Sequence, residues 1–289
     1  MKSLVTFLVA YPQLPGIGIA LLVGLARISW APQDRRRNDW FIAFTALALP
    51  ANLVCQAVTF SLNRLRPYKY DLYIWRLDGY LGQPSFTVGR WMSRQAPAIL
   101  QYLANISYPF LCVAMLLVFA AYLWGASERD TRWLIRAFVV NLAASPLCYL
   151  LCPVCGPIFA FPHVAATGFP YSAHVAAIAP MAITASPNGM PSIHFSSALL
   201  IFWFARRWAW GVWLGGAYVV LMALATMGSG EHYACDLIAA VPYAALVLWV
   251  TKERKRDAKS LGHSFVSSTV RLSAREPGYD RQVEDARRG

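Results

Sequence analysis

The sequence predicts an all-α fold: a polytopic transmembrane helical bundle of about six or seven spans. Three observations carry that expectation. Of the 289 residues, 57% are hydrophobic and 14% charged, against about 25% charged in a typical soluble domain. From Ala137 to Ala205 there is no Lys, Arg, Asp or Glu. Apolar runs also recur along the chain near the length of about 20 residues that crosses a hydrocarbon layer.

Taken in order, those runs predict spans at 5–29, 40–62, 98–124, 132–152, 193–206, 209–228 and 236–251. The fifth and seventh are short and are expected to extend into their flanks. The first is long enough to remain as a span and shows no cleavage site of a signal peptide. The runs make one membrane domain over 1–251, and 252–289 is expected to be a basic, disordered tail.

Orientation follows the cations, which concentrate in cytoplasmic loops. "RRR" (Arg35–Arg37), "ERDTR" (Glu128–Arg132), "RR" (Arg206–Arg207) and the tail all fall on one face if seven spans alternate. That face is read as cytoplasmic, and residues 63–97, 153–192 and 229–235 then lie opposite. The net charge of +12 is concentrated, with ten Lys/Arg against six Asp/Glu from Lys252 onward. A basic segment beside a span is explained by topology and anionic lipid. With no zinc or helix-turn-helix signature in it, no nucleic-acid partner is expected.

One loop breaks the charge rule. Residues 63–97 carry Arg64, Arg66, Lys69, Arg76, Arg90 and Arg94 on the outer face. They fit an interfacial segment with snorkelling cations, and equally a cationic collar for anionic headgroups. Six cysteines are scattered at 55, 112, 148, 152, 155 and 235. Cys152 and Cys155 form a CxxC, but a zinc site wants a second pair at ligand spacing and none exists. A disulfide between the two stays open.

The chemistry lies in "NGMPSIHFSS" and "GSGEHYACDL". A tight turn at Arg206–Arg207 makes the fifth and sixth spans a hairpin, so His194 and His232 should emerge at one membrane face. Asp236 follows His232 by four residues, and a helix there would put the carboxylate within reach of the imidazole. Ionisable groups at a membrane segment are costly and mark function. Two His and one Asp support a base or nucleophile backed by a carboxylate, with the second imidazole as general acid. A metal held by the same three groups is the rival, and nothing in the sequence requires it. His163, His174 and Tyr233 are read as structural, and Asp78 as a polar residue of the interface. Glu231 is read as either a loop residue or a group that tunes His232.

"MPSIH" followed by "HYACD" resembles the last two motifs of the type 2 phosphatidic acid phosphatase superfamily, PSGH and SRxxxxxHxxxD. Within it, the His–Tyr–x–x–Asp string is similar to the branch of the fungal inositol phosphorylceramide synthases and relatives of the sphingomyelin synthases. "YLLCPVCGP" and "RLDGYLGQPS" also resemble that branch. The resemblance implies a membrane phosphoesterase or phosphotransferase acting on a lipid phosphate or phospholipid headgroup, with no metal or other cofactor. It implies His232 as nucleophile, Asp236 as its orienting partner, His194 as general acid and Ser192 as a phosphoryl-oxygen ligand. The family's spread and the basic tail together imply a bacterial inner membrane, and the orientation read from the cations puts the active site on the extracytoplasmic face. The chain departs from the pattern. The cationic motif KxxxxxxRP has no counterpart near the fourth span, Ile193 replaces the Gly of PSGH, and Thr226 stands where the Arg would be. A transferring phosphoryl group needs positive charge around its oxygens, so Arg64, Arg66 and Lys69 are expected to fold over the pocket as the clamp. A lipid transporter or scramblase using the polar cluster as a relay, and a degenerate scaffold, are the alternatives.

Overall fold

The computed structural model describes residues 35–161, 178–187 and 189–252. The expected first span, His163, His174 and the tail from 253 lie outside the described residues. The elements run α1 (Arg35–Leu65), β1 (Tyr68–Lys69), α2 (Asp71–Tyr80), α3 (Pro84–Arg94), α4 (Ala98–Ser107) and α5 (Leu111–Gly125). There follow α6 (Glu128–Leu151), α7 (Pro157–Ala160), β2 (Met181–Ala182), α8 (Ile193–Ala205), α9 (Ala209–Gly228) and α10 (Ala234–Thr251).

Local chemistry sets the helix ends. Ser127 caps α6 by accepting the N–H of Asp130 at 3.1 Å, with Glu128 and Asp130 in the first turn. Both features favour an N-terminus. Ser192 caps α8 by accepting from the Phe195 N–H at 3.3 Å. The α8–α9 turn is tight because Gly211 lets the helices touch. A Cβ there would lie 1.9 Å from the carbonyl oxygen of Ala205.

Helices α5, α6, α8 and α10 share a core around Phe119, Leu134, Leu200 and Phe204. A second cluster joins α8, α9 and α10 through Phe195, Ala198, Met222, Leu237 and Ala240. Buried Asn141 on α6 stitches the bundle. Its side chain bonds Ser196 and Ser197 of α8, and its carbonyl accepts from the Tyr243 hydroxyl at 2.6 Å. The outer surface is apolar, with Trp213 81% exposed alongside Leu147, Leu151, Leu214 and Trp249. Such a surface suits acyl chains and not water.

Among the described residues α6, α9 and α10 are long and apolar enough to cross a membrane. At 1.5 Å per residue, the 20 residues of α9 span about 30 Å. Helices α4 and α5 make a fourth span if taken together, but they bend by 69°. The single span expected over 98–124 is therefore broken. Pro109 supplies no N–H, and its ring excludes the carbonyl four residues back from a helical bond. The expected run at 40–62 lies inside α1. The expected run at 193–206 is the 13-residue α8, only about 20 Å long.

Candidate active site

The segment after α1 braces the site. Lys69 in β1 pairs with Met181 in β2. Asp71, at the start of α2, is fully buried. Its carboxylate accepts the N–H of Cys155 (3.1 and 3.2 Å), the N–H of Gly156 (2.8 Å) and the Tyr233 hydroxyl (3.4 Å). Burial pushes the Asp71 carboxyl up to about 6, and the two backbone N–H groups pull against it. The "CPVCGP" strap thus wraps an acceptor. Both its cysteines are free thiols: Cys155 donates to the Ala185 carbonyl at 3.3 Å, and Cys152 contacts the Met190 sulfur.

The strap in turn fixes both histidine turns. The Gly189 N–H donates to the Val154 carbonyl at 2.7 Å, and the Ile158 N–H to the Gly230 carbonyl at 2.8 Å. Gly156, at φ 102°, lies against Glu231 so closely that a Cβ would fall 1.9 Å from its carbonyl oxygen. Asp78 is wholly buried and is not an interfacial residue. It accepts the Ser85 hydroxyl at 2.9 Å and the Ala234 N–H at 3.1 Å, so it seats the start of α10. Burial raises the Asp78 carboxyl, opposed by those bonds.

On this frame His194 and His232 come together, with ring centroids 6.4 Å apart. His232 is 1% exposed. Its Nδ1 lies 3.1 Å from the Gly189 carbonyl and 3.4 Å from Asp236 Oδ2. A carbonyl only accepts, so Nδ1 carries the proton and Nε2 keeps its lone pair. Asp236 reaches His232 by a route other than the expected i, i+4 helical pairing. His232 precedes α10, and the carboxylate turns back over the helix start, also accepting the Tyr233 N–H at 2.8 Å. Its second oxygen, Oδ1, is buried without a hydrogen-bond partner among the described residues. The Asp236 carbonyl accepts the Ser192 N–H at 3.2 Å, which ties the two motifs together.

Two further groups complete the cluster: Tyr108, which the sequence reading misses, and Glu231, which it leaves open. Tyr108, at the α4–α5 break, stacks on His194 with centroids 4.1 Å apart. Its oxygen lies 3.1 Å from His194 Nδ1 and donates to Glu231 Oε2 at 2.5 Å. Pro109 was the available signal that this segment bends.

The substrate-binding residues expected from sequence sit differently. Ser192 is buried and its hydroxyl serves as the α8 cap. Arg66 donates from Nε to the Leu150 carbonyl at 3.1 Å. Lys69 is buried, and its ammonium donates to Asn63 Oδ1 at 2.9 Å and to the Arg66 carbonyl. Arg64 is exposed. No hydrogen bond or ion pair among the described residues joins these three cations to His194, His232 or Ser192. Arg66 instead lines an open groove of about 460 Å³ with Tyr68, Tyr70 and Pro180. Among the described residues no three His, Cys, Asp or Glu side chains are grouped to hold a metal ion.

No curated protein and no solved structure matches the chain. A family model, that of the PAP2 superfamily, matches residues 73–250, which hold Asp78, Tyr108, Ser192, both histidines and Asp236. That match covers more than half of the sequence and both histidine motifs, so the chain belongs to the PAP2 superfamily, whose members are phosphatases and phosphotransferases.

Proposed function

We propose that this membrane protein cleaves or transfers a phosphoester of a lipid phosphate or phospholipid headgroup through a phosphohistidine on His232. One observation carries the reading: two imidazoles 6.4 Å apart, one of them held at Nδ1 so that Nε2 is left as a nucleophile. Nε2 of His232 attacks phosphorus and the ester P–O bond breaks. The departing alkoxide takes a proton from His194. Water, or an alcohol in a transferase, then displaces His232 from phosphorus and gives its proton to His194. Because His232 is almost wholly buried, substrate reaches Nε2 only when neighbouring side chains move aside.

The same reading puts the site on the extracytoplasmic face of a bacterial inner membrane, within a bundle of six or seven spans whose tail is cytoplasmic. Arg66, exposed on its groove, is the leading candidate for the phosphate clamp, with Arg64 beside it. Lys69 supports their backbone from below. The "HYACD" string supports the phosphotransferase branch related to inositol phosphorylceramide synthases.

The test uses the purified full chain in detergent with a labelled lipid phosphate, with and without inositol. Free phosphate marks a phosphatase and a new headgroup lipid a transferase. Acid-labile, alkali-stable label on the protein, lost in His232→Ala, marks the intermediate. Neither product nor label would overturn the proposal and leave the transporter or scaffold.

A further inference from the structure

We propose that Tyr108 and Glu231 are positioning residues for His194, a relay that holds its Nδ1 protonated and turns Nε2 toward the leaving group. The inference rests on the phosphoesterase reading above and deepens it.

The argument is one of proton placement. A tyrosine hydroxyl has one proton and can also accept. Glu231 Oε2, 2.5 Å away, is acceptor-only when ionised, so the Tyr108 proton points there. The contact between Tyr108 and His194 Nδ1, at 3.1 Å, then requires the imidazole to donate. His194 is left with Nδ1–H bonded to tyrosine and with Nε2 free. Ring stacking at 4.1 Å and 23° removes the remaining rotational freedom. His232 is held in the matching way, from Nδ1, by Gly189 and Asp236.

The balance closes at each step. When the P–O bond breaks, the alkoxide takes the Nε2 proton of the His194 imidazolium. His194 becomes the neutral Nδ1–H tautomer and keeps its bond to Tyr108. The Glu231 carboxylate accepts the tyrosine proton throughout, so Nδ1 stays the donating nitrogen and the proton exchanged is always the one on Nε2. When water attacks the phosphohistidine, its proton returns to Nε2. No proton leaves the Tyr108–Glu231 pair.

Local structure supports a dedicated arrangement. The α4–α5 bend presents Tyr108, and the Ser107 carbonyl beside the break is satisfied by the Tyr218 hydroxyl at 2.9 Å. Glu231 precedes His232 in the chain, so one short turn carries the nucleophile and, through Tyr108, the orientation of the acid.

The test compares full-length wild type, Tyr108→Phe and Glu231→Gln in detergent on two esters. Dioctanoyl phosphatidic acid has a glycerol leaving group that needs a proton, and p-nitrophenyl phosphate has one that departs without it. Expected is a kcat loss of about 10²-fold on the lipid ester and less than about threefold on the aryl ester, with KM unchanged. On a His194→Ala background, Tyr108→Phe should add nothing further. Equal losses on both esters, or none, overturn the proposal. A second readout is independent of turnover: ¹⁵N shifts of labelled histidine, with His194→Asn identifying the resonance. Wild type should show the Nδ1–H tautomer and Tyr108→Phe a mixture; an unchanged tautomer overturns the relay. A wild type inactive on both esters defeats the phosphoesterase reading, and the tautomer measurement still decides the relay.

Discussion

Replacing Gly156 by Ala tests whether the strap positions the nucleophile. Gly156 sits at φ 102°, where an added Cβ would be 1.9 Å from the Glu231 carbonyl oxygen, about 1.5 Å short of the 3.4 Å of ordinary van der Waals contact. Backbone meets backbone, so no side chain can swing away. Either the strap or the 230–232 turn must move by more than an ångström, and His232 is the next residue along. A displacement of about 1 Å costs about 10²-fold in rate, or about 2.7 kcal/mol of transition-state stabilisation. The positive φ adds about 1–3 kcal/mol of strain to the fold itself. Gly82→Ala separates the two effects. It has φ 82° with nothing within 4 Å of the new Cβ, so it carries the strain without the clash. Phosphate release from dioctanoyl phosphatidic acid by each variant, with thermal unfolding followed in parallel, is the assay. Expected is a kcat/KM loss of about 10²-fold for Gly156→Ala and less than about threefold for Gly82→Ala. Equal losses would refute the bracing argument.

Two further predictions follow from the same frame. Asp71 has its pKa raised from 3.8 to about 6, so its contribution to stability is fully present below pH 3.8 and is lost as pH rises through 6. The loss is about 3 kcal/mol at most; thermal melts of wild type should fall across that window, and those of Asp71→Asn should be flatter. A melt that does not separate the two proteins sinks the assignment. Arg66→Ala should lower lipid-phosphate turnover by about tenfold or more, and Arg254→Ala in the tail should not. Equal kcat/KM values for the two variants would remove Arg66 from the clamp.

What was legible in the sequence was what lies close along the chain or repeats a motif. The meeting of His194 and His232 followed from a hairpin whose tight turn and apolar legs are written locally. Asp236 was found, though its route was not: helix periodicity placed it below His232, whereas it caps the helix from within. The break at Tyr108 had a local signal in Pro109, overridden by the apolar run around it. The Tyr108–His194 contact had none, because 86 residues separate the two and only packing brings them together. Lys69 is expected from its charge to join the phosphate clamp. It is instead buried beneath its own loop, where Asn63 and a carbonyl satisfy it.

A histidine that must hold its ring in one orientation gains little from sitting in a turn, since a turn has no ladder of backbone bonds to fix it. The chain answers with buried carboxylates. Asp71, Asp78 and Asp236 are each 0% exposed, and each accepts backbone N–H groups from the strap or from the start of α10. Buried anions are costly unless hydrogen-bonded, so the cost itself enforces the geometry: only the arrangement that satisfies them is low in energy. Asp78 and Ser85 should then act as a unit, since the Ala234 N–H donates to both and the serine hydroxyl donates to the carboxylate. In a double-mutant cycle of Asp78→Asn and Ser85→Ala, the losses in unfolding free energy should fail to add, with a coupling of about 0.5–3 kcal/mol. The same cycle read in kcat/KM should show the coupling again, because α10 begins two residues after His232. Additive losses in both readouts would mean that the carboxylates fill space and do not hold the catalytic turn.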